Sequence, residues 1–203
     1  MNRDFKSQLL ELGACPTALQ WVCEQGDAEL VHYWNACPNG EWIVWLFSRL
    51  VEKMVVDKSV LLKALVACAH LRVPQIGDLK LREEVLSVLN GVMGHFDASV
   101  SLLALRDRVY ALNQDLGRCT DEDDRWRFWG NAIGGIGRRT YTQTRSGFSA
   151  DTHMIYHDLL YTGVGASIEE QERFLGTLRQ GIPWATAKAA WQQYTADLER
   201  GET

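Results

Sequence analysis

Apolar residues recur along this chain at alternating three- and four-residue steps, most plainly at Leu102, Leu105, Val109, Leu112 and Leu116. That spacing puts every member on one face of a 3.6-residue helix and does not fit the two-residue repeat of a half-buried strand. The same pattern runs through Leu62, Leu65 and Cys68 between Ser59 and Leu71, and through Leu81, Val85, Leu89 and Val92 between Leu79 and Met93. It also places Trp42, Trp45, Leu46 and Leu50 on a helix beginning near Glu41, with Arg49 at the edge of its apolar side. The expected fold is mainly α, a compact multi-helix bundle. The seam at 102–116 lasts only about two heptads, so it predicts helices packed within the bundle rather than a coiled coil between chains.

Punctuation between these stretches supports short helices. Pro16 suits a first helical turn, with Ala18, Leu19, Val22 and Cys23 turned inward, and Gly26 followed by Asp27 offers a stop and a new cap. Cys37-Pro38-Asn39-Gly40 turns the chain, Pro74 and Gly77 break it, and Gly117 with Thr120 marks a further boundary. Ser167 and Glu170 have capping-box spacing, Gly181 stops that helix, and Pro183 begins the last. Trp184, Ala187, Trp191, Tyr194 and Leu198 then share a face too aromatic to stay bare. The segment Trp129 to Arg139, with glycines at 130, 134, 135 and 137, reads as an irregular glycine-rich insertion, and Tyr141 to Ser149 as a polar loop with short strands possible. A boundary near residue 120 separates a helical module at 1–119 from a packed helical extension at 120–203.

Composition narrows the function classes. With 21 basic and 26 acidic residues, and neither half of the chain strongly charged, nothing resembles a polybasic nucleic-acid tail or membrane surface. No apolar stretch reaches the roughly 20 residues of a membrane-spanning helix, and Met1 to Lys6 do not lead into a signal-peptide core. A cytosolic protein is expected. Five cysteines at 15, 23, 37, 68 and 119 form no paired CxxC ligands, and Cys15 and Cys23 are expected to be buried free thiols.

Three groups of residues carry possible chemistry. Gly134, Gly135 and Gly137 beside Arg138 and Arg139 could turn backbone amides and guanidinium groups toward an anion, although neither a P-loop nor a dinucleotide fingerprint is present; a tight connector is the plainer reading. His153 and His157, four residues apart, face the same way if that stretch is helical, and Asp151 or Asp158 could complete or orient a metal site; surface histidines are the plainer reading, because the HExxH glutamate is missing. Arg125, Trp126, Arg127, Trp129, Arg138 and Arg139 could contact a macromolecular partner. Among the eight tryptophans, Trp21, Trp34, Trp42 and Trp45 read as core knobs, or as a groove accepting another protein's apolar side chain, framed by Glu24, Asp27, Glu29 and Glu41.

The N-terminal run Cys15-Pro16-Thr17-Ala18-Leu19-Gln20-Trp21, then Trp34-Asn35-Ala36-Cys37, then Gly40-Glu41-Trp42-Ile43-Val44-Trp45-Leu46, resembles a phage and prophage helical module of the immunity-like kind. The resemblance covers roughly residues 10–115. It implies a noncatalytic protein of the bacterial host cytoplasm that restrains another macromolecule and uses no cofactor. Its matching residues, Cys15, Ala18, Trp21, Trp34, Cys37, Trp42 and Trp45, are structural in character. The expected function is steric blockade of a toxin, a nuclease or a host-defence component such as a CRISPR effector. A metal-dependent phosphoester hydrolase and a nucleic-acid-binding regulator are the alternatives.

Overall fold

The computed structural model describes residues 4–116, 124–142, 147–161 and 167–201, with side chains for all of these except 115, 116 and 124–130. Among the described residues the chain is a bundle of eleven α-helices: α1 (Phe5–Glu11), α2 (Pro16–Glu24), α3 (Leu30–Ala36), α4 (Gly40–Glu52), α5 (Lys58–Arg72), α6 (Leu79–Phe96), α7 (Leu102–Leu116), α8 (Asp124–Tyr141), α9 (Phe148–Tyr161), α10 (Ile168–Gly181) and α11 (Trp184–Arg200). A 3-10 turn, Val73–Gln75, follows α5. No helix among the described residues is long and apolar enough to cross a membrane.

Local chemistry sets the ends of these helices. Asp4, Asn39, Asp57 and Asp78 each accept a main-chain N–H through the side chain at the start of α1, α4, α5 and α6. Ser167 and Glu170 close a reciprocal capping box at α10, as their spacing predicts. Asp27 does not cap α3; that position is taken by Glu29, without a side-chain bond.

Helix α5 is the axis of the bundle. Leu61, Leu62, Ala64, Leu65, Cys68 and Ala69 are fully buried along one broad face, and α4, α6, α8, α9 and α10 all pack against it. Contact with five other helices places α5 centrally, with exposed His70 on its remaining side. The larger core cluster runs from Trp34 to Ala187 and draws on helices both before and after residue 120.

The expectation of an irregular glycine-rich insertion is corrected. Residues 124–141 form helix α8, and the glycines are its contact points. A methyl group at Gly135 would approach Ile155 Cγ1 of α9 to 2.8 Å, and one at Gly137 would overlap Val109 Cγ2 of α7. Ala132, Ile133 and Ile136 are fully buried between them. Glycine's helix penalty of about 1 kcal/mol relative to alanine is offset here by close approach of two neighbouring helices. Residues 143–146, within the expected loop or strand, lie outside the described residues, and Phe148 already begins α9.

Cationic side chains from distant helices complete several helix C-termini, whose last carbonyls have no partner within their own helix. Lys58 Nζ donates to the carbonyls of Arg139, Thr140 and Thr142 at 3.0, 2.8 and 2.7 Å, closing α8. Arg72, 4% exposed, donates to the carbonyls of Leu159 and Leu160 at 3.1 and 2.6 Å, closing α9. Arg179 reaches the carbonyls of Trp34 and Cys37 at the end of α3, and Arg49 that of Leu12 after α1. Each bond pairs a positive charge with the negative end of a helix dipole and ties together segments far apart in sequence.

Candidate functional site

At the N-terminal end of the bundle, α1 to α4 and α11 enclose an almost wholly apolar cavity of about 90 Å³. Aromatic packing builds its wall. Phe5 stacks on Tyr33 with centroids 4.7 Å apart and meets Trp191 edge-on at 4.9 Å, while Trp21 lies 6.2 Å from Tyr33 and 5.9 Å from Trp42. The Tyr33 hydroxyl points away from this space, donating to the Gly26 carbonyl and accepting from Ala28 N–H at 3.3 Å. It thereby holds the α2–α3 turn while its ring faces the cavity. Trp34 is buried, but Trp21, Trp42 and Trp45 are only partly covered. Ala14, Ala18 and Ala187 supply the short side chains that leave the space open.

The cavity shares Phe5, Leu30, Trp184 and Trp191 with a wider groove of about 630 Å³ between α3 and α11. Gln8, Glu29, Lys188, Gln192, Thr195 and Glu199 give that groove its polar edge. On the other side, Trp45 also lines an open cleft of about 690 Å³ with Arg49, Glu52, Gly147, Ser149 and His153. There Glu52 is engaged structurally: Oε1 accepts Ser149 N–H at 2.8 Å, completing the start of α9, and Oε2 meets Arg49 Nη1 at 2.5 Å.

The charged candidates named from the sequence meet one another. Arg139 Nε donates to Asp151 Oδ2 at 2.6 Å, its Nη2 also contacts that oxygen, and it reaches the Gly147 carbonyl at 3.1 Å. One anion-binding candidate thus sits on one metal-ligand candidate. Arg138 is exposed. Gly134, Gly135 and Gly137 are buried inside α8, where amides donate along the helix instead of converging on a loop cradle.

His153 is half-buried at the cleft, and His157 is exposed, 4.6 Å between centroids from Tyr161. Among the described residues no three His, Cys, Asp or Glu side chains converge as a metal site. Asp158 Oδ1 lies 3.8 Å from His157 Nδ1, and burial lifts its carboxyl above the usual range, partly offset by that histidine. The side chains of Arg125, Trp126, Arg127 and Trp129 lie outside the described residues.

The expectation of two buried thiols near the N-terminus is also corrected: Cys15 and Cys23 are exposed, whereas Cys37 and Cys68 are buried. Cys15 occupies the N-cap of α2. Slight burial raises its thiol pKa, but hydrogen bonds from the Thr17 side chain and the first-turn amides outweigh that and leave it lowered. Sequence reasoning did not join Phe5 and Tyr33 to the tryptophans. The signal available was the recurrence of aromatic residues near both ends of the chain, at Phe5, Trp184 and Trp191.

Fold and site together define a helical bundle with an aromatic-walled apolar recess at one end. Compared with protein-family models, with curated proteins and with solved structures, the chain matches none.

Proposed function

We propose that this chain is a noncatalytic binding protein that blocks a macromolecular target, docking it on the aromatic face of α1 to α4 and α11. This is the immunity-like reading carried to a particular surface. The observation that carries it is the incomplete burial of Trp21, Trp42 and Trp45 around an apolar recess. Large aromatic side chains left partly uncovered beside a pocket are the anchors on which protein interfaces concentrate their affinity. Charge supports the same end of the molecule: residues 1–46 hold two basic and six acidic side chains, a net of −4 within a total of −5. Such a surface favours a basic partner and speeds its encounter.

The Arg138–Arg139 segment suits an interface less well, because Arg139 is committed to Asp151 and Gly147. The target class remains a toxin, a nuclease or a defence complex, acted on by occlusion without a chemical step. The test is capture from the bacterial host with the full chain, followed by reconstitution of one purified partner. Trp21→Glu combined with Glu29→Lys should weaken that complex at least tenfold, while Arg138→Glu leaves it intact. Equal affinity for all three chains would remove the aromatic face from the interface.

A further inference from the structure

The recess is small and almost without polar lining, and it shares Phe5, Leu30, Trp184 and Trp191 with the neighbouring groove. The recess volume of about 90 Å³ is well below the roughly 150 Å³ of an apolar cavity that accepts a benzene ring. That is room for a branched side chain of three or four carbons and too little for an indole or phenol ring. The lining is nearly all apolar and the Tyr33 hydroxyl is turned to the Gly26 carbonyl, so an apolar tip suits the space better than a polar one. The adjoining groove has the dimensions for backbone, with Gln8, Gln192 and Thr195 along it and the carboxylates of Glu29 and Glu199 against the single ammonium of Lys188.

We infer that the recess is a socket for one branched aliphatic side chain, leucine, isoleucine or valine, presented by a partner segment whose flanking lysines or arginines lie along the acidic groove. This rests on the binding function proposed above and narrows it to a recognition rule. The alanines set the rule: Ala18 and Ala187, each 7% exposed, line the space and hold it open.

The test uses the full chain and four synthetic pentapeptides with blocked ends. One carries a central leucine between lysine pairs; two replace that leucine with alanine or tryptophan; the fourth replaces the lysines with glutamates. Binding is followed through the alanine methyl and indole NMR signals. The leucine peptide should bind at least tenfold more tightly than the alanine and tryptophan peptides, and the glutamate-flanked peptide should not bind. Ala18→Leu fills the socket, so it should abolish the leucine preference while thermal melting shows an intact fold. Ala187→Val serves the same purpose if Ala18→Leu does not fold.

Equal binding of the leucine and alanine peptides overturns the socket, as does a retained preference in a folded, filled variant. Isobutanol shifting the same methyl signals where no peptide does would make this a small-molecule pocket and also overturns it. So does a dimer of the chain that the leucine peptide dissociates, since the occupant is then a second copy. Loss of the captured partner in Trp21→Glu/Glu29→Lys without a leucine preference would remove the socket and leave the docking face. A leucine preference with partner capture unaffected would do the reverse.

Discussion

Arg139 and Asp151 neutralise one another across 2.6 Å, joining the end of α8 to the first turn of α9. The guanidinium is 12% exposed and also lies over the Phe148 ring, whereas the carboxylate is 54% exposed. Arg139→Ala removes bonds to a carboxylate and to the Gly147 carbonyl and is expected to cost about 1–3 kcal/mol. Asp151→Asn, altering the wetter partner, should cost under about 1 kcal/mol. Urea denaturation of the two single variants and the double variant measures the coupling. A cost for Asp151→Asn as large as for Arg139→Ala would show that the pair is less solvent-screened than its exposure implies.

The glycines of the bundle should respond to alanine in opposite directions. At Gly176, inside α10, a methyl group meets nothing within 4 Å. Gly176→Ala should therefore stabilise the chain by about 0.5–1 kcal/mol through helix propensity. Gly137→Ala drives its methyl into Val109 and should destabilise by about 1–3 kcal/mol despite the same propensity gain. Thermal melts of the two variants decide this, and a stabilised Gly137→Ala would mean that α7 and α8 are less closely packed.

Arg72 is nearly enclosed, and five partners depend on it: the carbonyls of Leu159 and Leu160, the Gln75 side-chain oxygen at 3.2 Å, the Glu170 carboxylate at 2.6 Å, and the Phe174 ring beneath the guanidinium. Arg72→Met keeps the packing volume but leaves those acceptors unmet, an expected loss of about 3 kcal/mol or more in chemical denaturation. Glu170→Gln should cost less. The hydrogen bond from the Ser167 main-chain N–H, and then the charge of Arg72, hold its carboxyl below the usual range. Its contribution is therefore present above the unfolded value and lost as pH falls through the lower folded one.

Asp158 has the opposite sign. Burial raises its folded pKa, so the native chain keeps that proton to a higher pH than the unfolded chain does. Stability then declines as pH rises from the unfolded value, about 3.9, through the folded one, and stays reduced above it. Asp158→Asn should be more stable than the parent at about pH 7, with the gap closing toward about pH 3. Denaturation midpoints across that range are the check, and a gap that widens on acidification would contradict it.

Thiol chemistry should divide by depth. In a Cys119→Ser background, native chain should take two equivalents of iodoacetamide, at Cys15 and Cys23, with Cys37 and Cys68 reacting only on unfolding. The lowered pKa of Cys15 favours its reaction near neutral pH, whereas burial pushes the Cys68 thiol to about 12. Mass spectrometry counts the adducts. Labelling of Cys68 in native chain would reveal opening of the core beside Phe174.

Periodicity made the helices legible because it needs only near neighbours. The apolar steps of α5, α6, α7 and α11 are visible within single segments, and so are the capping box at Ser167 and Glu170 and the first-turn proline of α2. The glycine-rich segment misled because glycine counts against a helix on propensity, while its compensation comes from Val109 and Ile155, which are distant in sequence. The exposure of Cys15 and Cys23 was hidden for a related reason: apolar neighbours in the chain do not say which side of a short helix faces water.

By itself the sequence determined that this is a helical bundle, where most helices start and stop, and which faces of the longer helices turn inward, since periodicity, capping and chain-breaking residues act over one or two turns. Tertiary structure alone decided that Arg139 goes to Asp151, that Lys58, Arg72 and Arg179 close helices far from their own, and that Phe5 and Trp191 meet Trp21 and Tyr33 around a cavity. Those pairings depend on how whole helices pack, and helix packing brings together residues that no local spacing relates.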